Sequence, residues 1–326
     1  VADGARAYPP YEDAGNSVDA GMKQAGRRLL GVIPTLLLTW TLVFAALQAM
    51  PGDPVALMLG GTPTSEEVIA AERARLGLDR PIAVQYVRFL GGVLTGDFGE
   101  SFRSRQPVTG LIAEQLPYTV SLALGGLVFG AGVGIVLGVL AGLFPYGWID
   151  TAIMTVALAG VSMPGFWVAM LLIQVFATSL GWLPVLGTGL PALIMPSISV
   201  GLFLAGGLSR LVRASIIEVM GLDYIRTARA KGLAEWRVVC KHALRNAAIP
   251  PLSLLGVQFA LLIGGAVVTE TVFARPGIGA MLVRAVLEKD YPVVEGITVL
   301  STAAYVLVNM LIDVLYVMLD PRTERA

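Results

Sequence analysis

The sequence predicts an all-α polytopic membrane protein with six transmembrane helices. Three observations carry this. The 326 residues are 56% apolar and 14% charged, where a soluble domain carries roughly 25% charged residues. Mean hydropathy is +0.75. Several stretches of about 20 residues or more lack any charge, each long enough to cross a bilayer as a helix. Net charge is zero, so no basic surplus supports nucleic-acid binding.

The six spans are expected at 29–50, 119–144, 151–178, 192–213, 251–272 and 297–319. The tail 1–28 is polar and ends in Lys23, Arg27 and Arg28. The apolar run after it is too long for the core of a signal peptide and has no cleavage site, so it reads as a retained first span. If the N-terminus is cytoplasmic, the segments 1–28, 210–250 and 320–326 hold 14 Lys and Arg, against 3 in the short external loops. That asymmetry places both termini inside. The transmembrane domain is then 29–319, with an external loop 51–118 and a cytoplasmic loop 214–250.

Pro51-Gly52-Asp53-Pro54 ends the first span. Thr64 and Glu67 have capping-box spacing, and Gly77 closes the short helix that follows. Ile82 to Leu94 mixes Tyr86, Phe89 and Leu90 with Gln85 and Arg88, as in a helix on the membrane surface. The second span carries Gly126, Gly130, Gly134, Gly138 and Gly142 in register. This small-residue ladder lets another helix approach closely. That helix belongs either to this chain or to a partner.

The third span contains Ser162-Met163-Pro164-Gly165, where Pro164 and Gly165 predict a kink or break. Two re-entrant halves are the other arrangement. Arg210 and Arg213 end the fourth span and are expected to snorkel. Trp167, Trp182, Tyr118 and Tyr291 read as interfacial anchors. Glu270 and Asp313 are acids in or near spans, read as satisfied structural groups or as functional ones. Gln174, Ser197, Ser199, Gln258 and Glu270 are the polar points available to a pathway or gate. One histidine and one cysteine leave no cluster for a metal, and no catalytic set is evident. An intramembrane protease would need a Ser/His pair or a second in-span Asp.

The most informative stretch runs from Asp223 to Pro250. Residues before Gly232 form a helix and Gly232 is a left-handed stop. A second helix follows. Trp236, Val239, Cys240, Ala243, Leu244 and Ala247 share one face, and Arg237, Lys241 and Arg245 share the other. A topology signal needs charge alone, so this patterned loop reads as a docking element. Its contact set is Arg226, Thr227, Ala228, Arg229, Ala230, Lys231, Gly232, Leu233 and Trp236.

Here the chain resembles the permease subunits of bacterial ABC importers for peptides and nickel, nearest the oligopeptide and dipeptide permease B branch. The permease signature is Glu-Ala-Ala, three residues, Gly, then a helix ending near Leu-Pro. Gly232 and Ala228 match it, Ile249-Pro250 stands for Leu-Pro, and Arg226 and Thr227 replace Glu and Ala, as in the peptide branch. Further matches are Met50-Pro51-Gly52-Asp53-Pro54, Leu78-Asp79-Arg80-Pro81, Gly96-Asp97-Phe98-Gly99 with Ser101, and Gly264 through Glu270. Arg275-Pro276-Gly277-Ile278-Gly279, Asp290-Tyr291-Pro292-Val293 and Asp320-Pro321-Arg322 complete a likeness over 27–322. Ala234 stands where a capping Ser is expected, so the second helix starts less firmly.

The resemblance implies the bacterial inner membrane and a second, related permease as heterodimer partner. It also implies two cytoplasmic ATPase subunits and an external binding protein meeting loop 51–118. Membrane lipid surrounds the spans. No G-x-x-x-x-G-K-[ST] motif occurs, so ATP and Mg are expected on the ATPase chains and no cofactor on this one. Importers of peptides, nickel, heme, glutathione and opines share this permease type. A stand-alone secondary transporter is the alternative, but it would show inverted repeats and midplane charges.

Overall fold

The computed structural model describes residues 14–59, 65–263 and 266–319. Fifteen α-helices follow in order: α1 Ala14–Ala49, α2 Pro54–Met58, α3 Glu66–Leu76, α4 Ile82–Thr95, α5 Val108–Leu143, α6 Trp148–Ser162, α7 Gly165–Leu172, α8 Leu190–Met220, α9 Asp223–Ala230, α10 Glu235–Arg237, α11 Leu244–Ala247, α12 Ile249–Ile263, α13 Val267–Val272, α14 Ile278–Glu288 and α15 Tyr291–Leu319. Wider π-turns join α7 to its end at Ser179 and fill Val238–Ala243. No strand forms among the described residues beyond one isolated bridge, Glu100 with Pro107.

Among the described residues, three helices are long and apolar enough to cross a membrane: Val108–Leu143, Leu190–Met220 and Tyr291–Ile312. The third expected span is a bent pair, Trp148–Ser162 and Gly165–Ser179, meeting at 103°. Pro164 is extended (ψ 131°) at the N-cap of α7, so the expected kink is a full elbow. The apolar parts of α1 (Ile33–Ala49) and α12 (Pro250–Leu262) are shorter. The fifth span is not one helix: α12 ends at Ile263 and α13 begins at Val267.

Other boundaries also move. The second span begins at Val108, with Pro117 inside the helix, so the segment between the first two spans ends near residue 107. The fourth extends to Met220 and the sixth starts at Tyr291. Each shift follows from cooperativity: once a hydrogen-bonded turn exists, adding residues is favourable even beyond the apolar run. Gly77 closes α3 as expected, at φ 72°. Ser65 holds the N-cap position of α3 without a side-chain cap, and Thr64 lies outside the described residues.

The α5–α8 seam forms the centre of the fold. All five ladder glycines are buried. A Cβ at Gly130 would lie 2.7 Å from the Gly201 carbonyl oxygen. At Gly134 it would lie 2.9 Å from the Leu208 Cβ, and at Gly142 2.7 Å from Ile216. The ladder is therefore filled by α8 of the same chain, and the partner-facing alternative is set aside. One apolar core, with Leu204, Leu208, Val212 and Ile216, continues from this seam toward α9. A second, with Phe102, Val108, Tyr291 and Ile297, closes the other end.

Candidate functional site

The Asp223–Pro250 segment is built on the end of α8. Ile225 and Ala228 of α9 are buried and pack with Ile216, Val219, Val238, Ala243 and Ala247. The opposite face leaves Arg226, Thr227, Arg229, Ala230 and Lys231 exposed. Gly232 stops the helix at φ 76°, with its N–H donating to the Arg229 carbonyl at 2.9 Å. An added Cβ at Gly232 would meet nothing within 4 Å. Glycine is needed there for backbone conformation rather than for space.

Ala228 was expected among the outward contact residues, and it points inward. Helical spacing puts it on the face of Ile225, which the core claims. Trp236 and Cys240, expected to share one face with Val239, Ala243 and Ala247, are exposed while those three are buried. The π-turn at 238–243 adds a residue to the register, so Val238 and Val239 are both buried, with Ala243 and Ala247. Leu233 is half-buried against the same core. Arg237, Lys241 and Arg245 are exposed as a ladder, and the Arg237 guanidinium lies 5.2 Å from the Trp236 ring centroid.

Polar ties hold the two helices at a fixed angle. Arg229 donates to Glu235 at 2.5 and 3.2 Å across the Gly232 turn. That hydrogen bond holds the Glu235 carboxyl below its usual range and raises the Arg229 guanidinium. Asn246 Nδ2 donates to the Tyr224 hydroxyl at 2.7 Å. Arg226 pairs with Asp223 at 3.4 Å. The expected open basic face is thus partly neutralised within the loop. Ala234 is the N-cap of α10 and offers no side-chain bond; the Glu235–Arg229 pair pins that start instead.

Arg213 does not snorkel. It forms a two-pronged pair with Asp150, at 2.5 and 2.6 Å, and Asp150 also accepts from the Tyr146 N–H at 2.8 Å. This joins the start of α6 to α8 ten residues before Asp223. Arg213 stands out in the sequence only as a span end and Asp150 not at all, because residues 63 apart show no spacing signal.

The expected pathway residues Gln174, Gln258 and Glu270 sit on three separate elements. Gln174 is exposed, in the π-turn after α7, and Gln258 is half-buried on α12. Glu270 is fully buried. It accepts from the Thr119 hydroxyl at 2.6 Å and the Ala280 N–H at 2.9 Å, while Thr119 accepts from the Ile278 N–H at 2.8 Å. Gly277 lies against its carboxylate. Glu270 therefore braces α5, α13 and α14 and lines no open passage here. Ser199 donates to the Gly165 carbonyl at 3.2 Å, fixing the elbow to α8. The elbow holds a shallow apolar concavity of about 430 Å³, lined by Ala159, Ser162, Met163, Pro164, Phe166 and Trp167. The Asp313 side chain lies outside the described residues. Tyr291 is buried against Phe102 at 6.1 Å and is no interfacial anchor, whereas Trp167 and Trp182 are exposed.

Two of the motifs, Ser101 with its neighbours and Asp290-Tyr291, meet beside the start of α15. Buried Asp290 accepts from the Ser101 hydroxyl at 2.5 Å and the Phe102 N–H at 2.9 Å. Lys289, at φ 54°, donates to the Pro51 carbonyl. The turn before α15 thus clamps the segment between α1 and α5 at both ends.

Residues 134–325 match the family described as binding-protein-dependent transport system inner membrane component. Residues 22–123 match that described as its N-terminal region. A glutathione transport system permease protein of Salmonella paratyphi A is 42% identical over 296 residues, covering 90% of this chain and 96% of the relative. A Brucella abortus protein named as a peptide transport system permease is 42% identical over 307 residues, covering 91% and 98%. The solved inward-facing MetNI methionine ABC transporter contains a chain with the same fold. Its TM-score is 0.55 at 20% identity, over 66% of this chain and 99% of that one.

Proposed function

The chain belongs to the family of inner-membrane components of binding-protein-dependent transport systems, and from that premise we propose how it works as a membrane subunit of an ABC importer. It forms half of a translocation pathway, beside a second, related permease. Six passes bring both termini to the cytoplasm: α1, α5, the α6–α7 elbow pair, α8, the α12–α13 pair and α15. The segment 51–107 then faces outward, where a binding protein hands over its cargo. A small peptide is the cargo class, since the relatives' names mention glutathione and peptides. ATP and Mg act on separate ATPase subunits.

One observation carries the mechanism. α9 has a buried base continuous with the α8 core and an exposed outer face of short and basic side chains. A partner ATPase that grips this face moves α8 directly, because Ile225 and Ala228 leave no slack between them. The Asp150–Arg213 pair then carries the motion to α6 and its elbow. The buried α5–α8 seam moves as one body, since interlocked cores deform little. Pro164 and Gly165 are the point where that body can change the pathway's shape.

The test is a cysteine at Ala230 in a Cys240→Ala background, in the assembled importer. A short crosslinker should join it to an ATPase subunit, and ATP-driven peptide uptake should fall. Crosslinking to the external binding protein, or none in an active complex, would sink the assignment.

A further inference from the structure

Helix α4 has two apolar sides, and one of them is exposed among the described residues. The inner side clasps α1. Phe44 lies 5.2 Å from the Tyr86 ring and 5.8 Å from Phe89, stacked at 18°. The Tyr86 and Thr41 hydroxyls are 2.6 Å apart, and Gln48 Nε2 donates to Gln85 Oε1 at 3.0 Å. The seam therefore satisfies its own polar groups and needs no water at these positions. On the outer side, Val84, Val87, Gly91 and Leu94 recur at helical spacing. Val87 is 68% and Leu94 86% exposed.

Depth decides what covers that stripe. After Arg28, α1 has an apolar run to Met50, about 33 Å of helix against a hydrocarbon core of about 30 Å. It can cross only by using nearly all of that length. Thr41 then lies eight residues, about 12 Å, beneath the outer end at Ala49. The Tyr86 hydroxyl, held against Thr41, lies at the same depth, with the α4 backbone within one side-chain length of it. The one charged residue of α4, Arg88, reaches Gly77 at the end of α3, which draws its charge away from the outer stripe. A charged group that turns toward polar surroundings while its helix stays apolar is the snorkelling arrangement.

We propose that α4 is a half-length helix immersed in the outer leaflet, with Val84, Val87, Gly91 and Leu94 against lipid acyl chains. It does not lie flat on the membrane surface, as its sequence alone predicts. The occupant is the acyl layer because Leu42 of α1, one residue from Thr41 and 60% exposed, stands at about this depth in the same leaflet. α4 would widen the lipid contact of the first span. The inference rests on α1 being a membrane span, and therefore on the membrane-subunit reading.

The experiment uses the complete importer in phosphatidylethanolamine–phosphatidylglycerol vesicles, with Cys240→Ala and Val87→Cys carrying an environment-sensitive fluorophore. Lipids bearing a mid-chain nitroxide should quench it at least twofold, and aqueous iodide should leave it nearly unchanged. If Val87→Cys lowers assembly, Gly91→Cys carries the same measurement, since an added Cβ there meets nothing within 4 Å. Quenching by iodide would place the stripe in water. Quenching by neither reagent would place it under protein. Either result overturns the proposal. ATP-driven uptake by the same vesicles reports separately on the importer reading.

Discussion

Gly138 faces Val212 so closely that a Cβ on the glycine would lie 2.6 Å from the valine Cβ and 2.7 Å from the Ser209 carbonyl oxygen. Both neighbours are parts of a buried helix, so neither can swing aside. Gly138→Leu should separate α5 from α8, at a cost of about 1–3 kcal/mol or more, although leucine is the better helix former. Gly132, on the other face, has nothing within 4 Å, and Gly132→Leu should be tolerated. Thermal unfolding of the two purified variants decides it. Equal melting temperatures would mean that the seam is not what holds the fold.

The Asp150–Arg213 pair predicts strong coupling. Asp150 is 4% exposed and both its oxygens are engaged. Asp150→Ala leaves a guanidinium with little solvent in a partly buried place. Breaking a fully buried pair costs about 3–5 kcal/mol; with Arg213 a quarter exposed, about 1–3 kcal/mol is expected. The double variant Asp150→Ala with Arg213→Ala should recover part of that loss. Strictly additive effects in a double-mutant cycle would show that the pair carries no energy of its own.

The legible parts of the fold were those with a local signature. The glycine ladder, the Gly232 stop and the Gly77 stop each depend on one residue type with one conformational property. The elbow was legible as an event but not as an angle: Pro164 forbids a continuous helix, while the 103° bend depends on Ser199 and α8. The register of the helix after Gly232 was misread because a π-turn is invisible to a 3.6-residue count. Asp290 with Ser101, and Asp150 with Arg213, had no sequence signal, since 189 and 63 residues separate the partners. Glu270 was visible as an acid in an apolar stretch, but its partner Thr119, 151 residues away, was not.

The Arg229–Glu235 tie makes the turn at Gly232 sensitive to acid. The folded carboxyl lies below its ordinary range, so the tie is complete above the unfolded pKa, near 4.3. It is lost as pH falls through the lowered folded value. Both groups are largely exposed, which keeps the effect small. Intrinsic-rate-corrected hydrogen exchange at residues 231–235 should speed up below about pH 4. Glu235→Gln should show the faster exchange already at pH 7 and no further acid step. An unchanged acid step in that variant would assign it to another group.

Gly232 allows conformation to be tested apart from space. Its φ of 76° disfavours most side chains, yet an added Cβ would touch nothing within 4 Å. Asparagine accepts the left-handed region and a β-branched residue does not, at roughly 1–2 kcal/mol. Gly232→Asn should therefore keep the angle between α9 and the helix after it, and Gly232→Val should lose it. Because the exposed face of α9 stays chemically unchanged, both variants should still reach the membrane with their partner chains. The expected difference is in coupling: peptide moved per ATP hydrolysed should stay near the parent value for Asn and fall several-fold for Val. If Asn and Val fail equally, the position is read directly by the ATPase surface and the backbone argument is wrong. If both work normally, the angle set at Gly232 does not transmit the stroke.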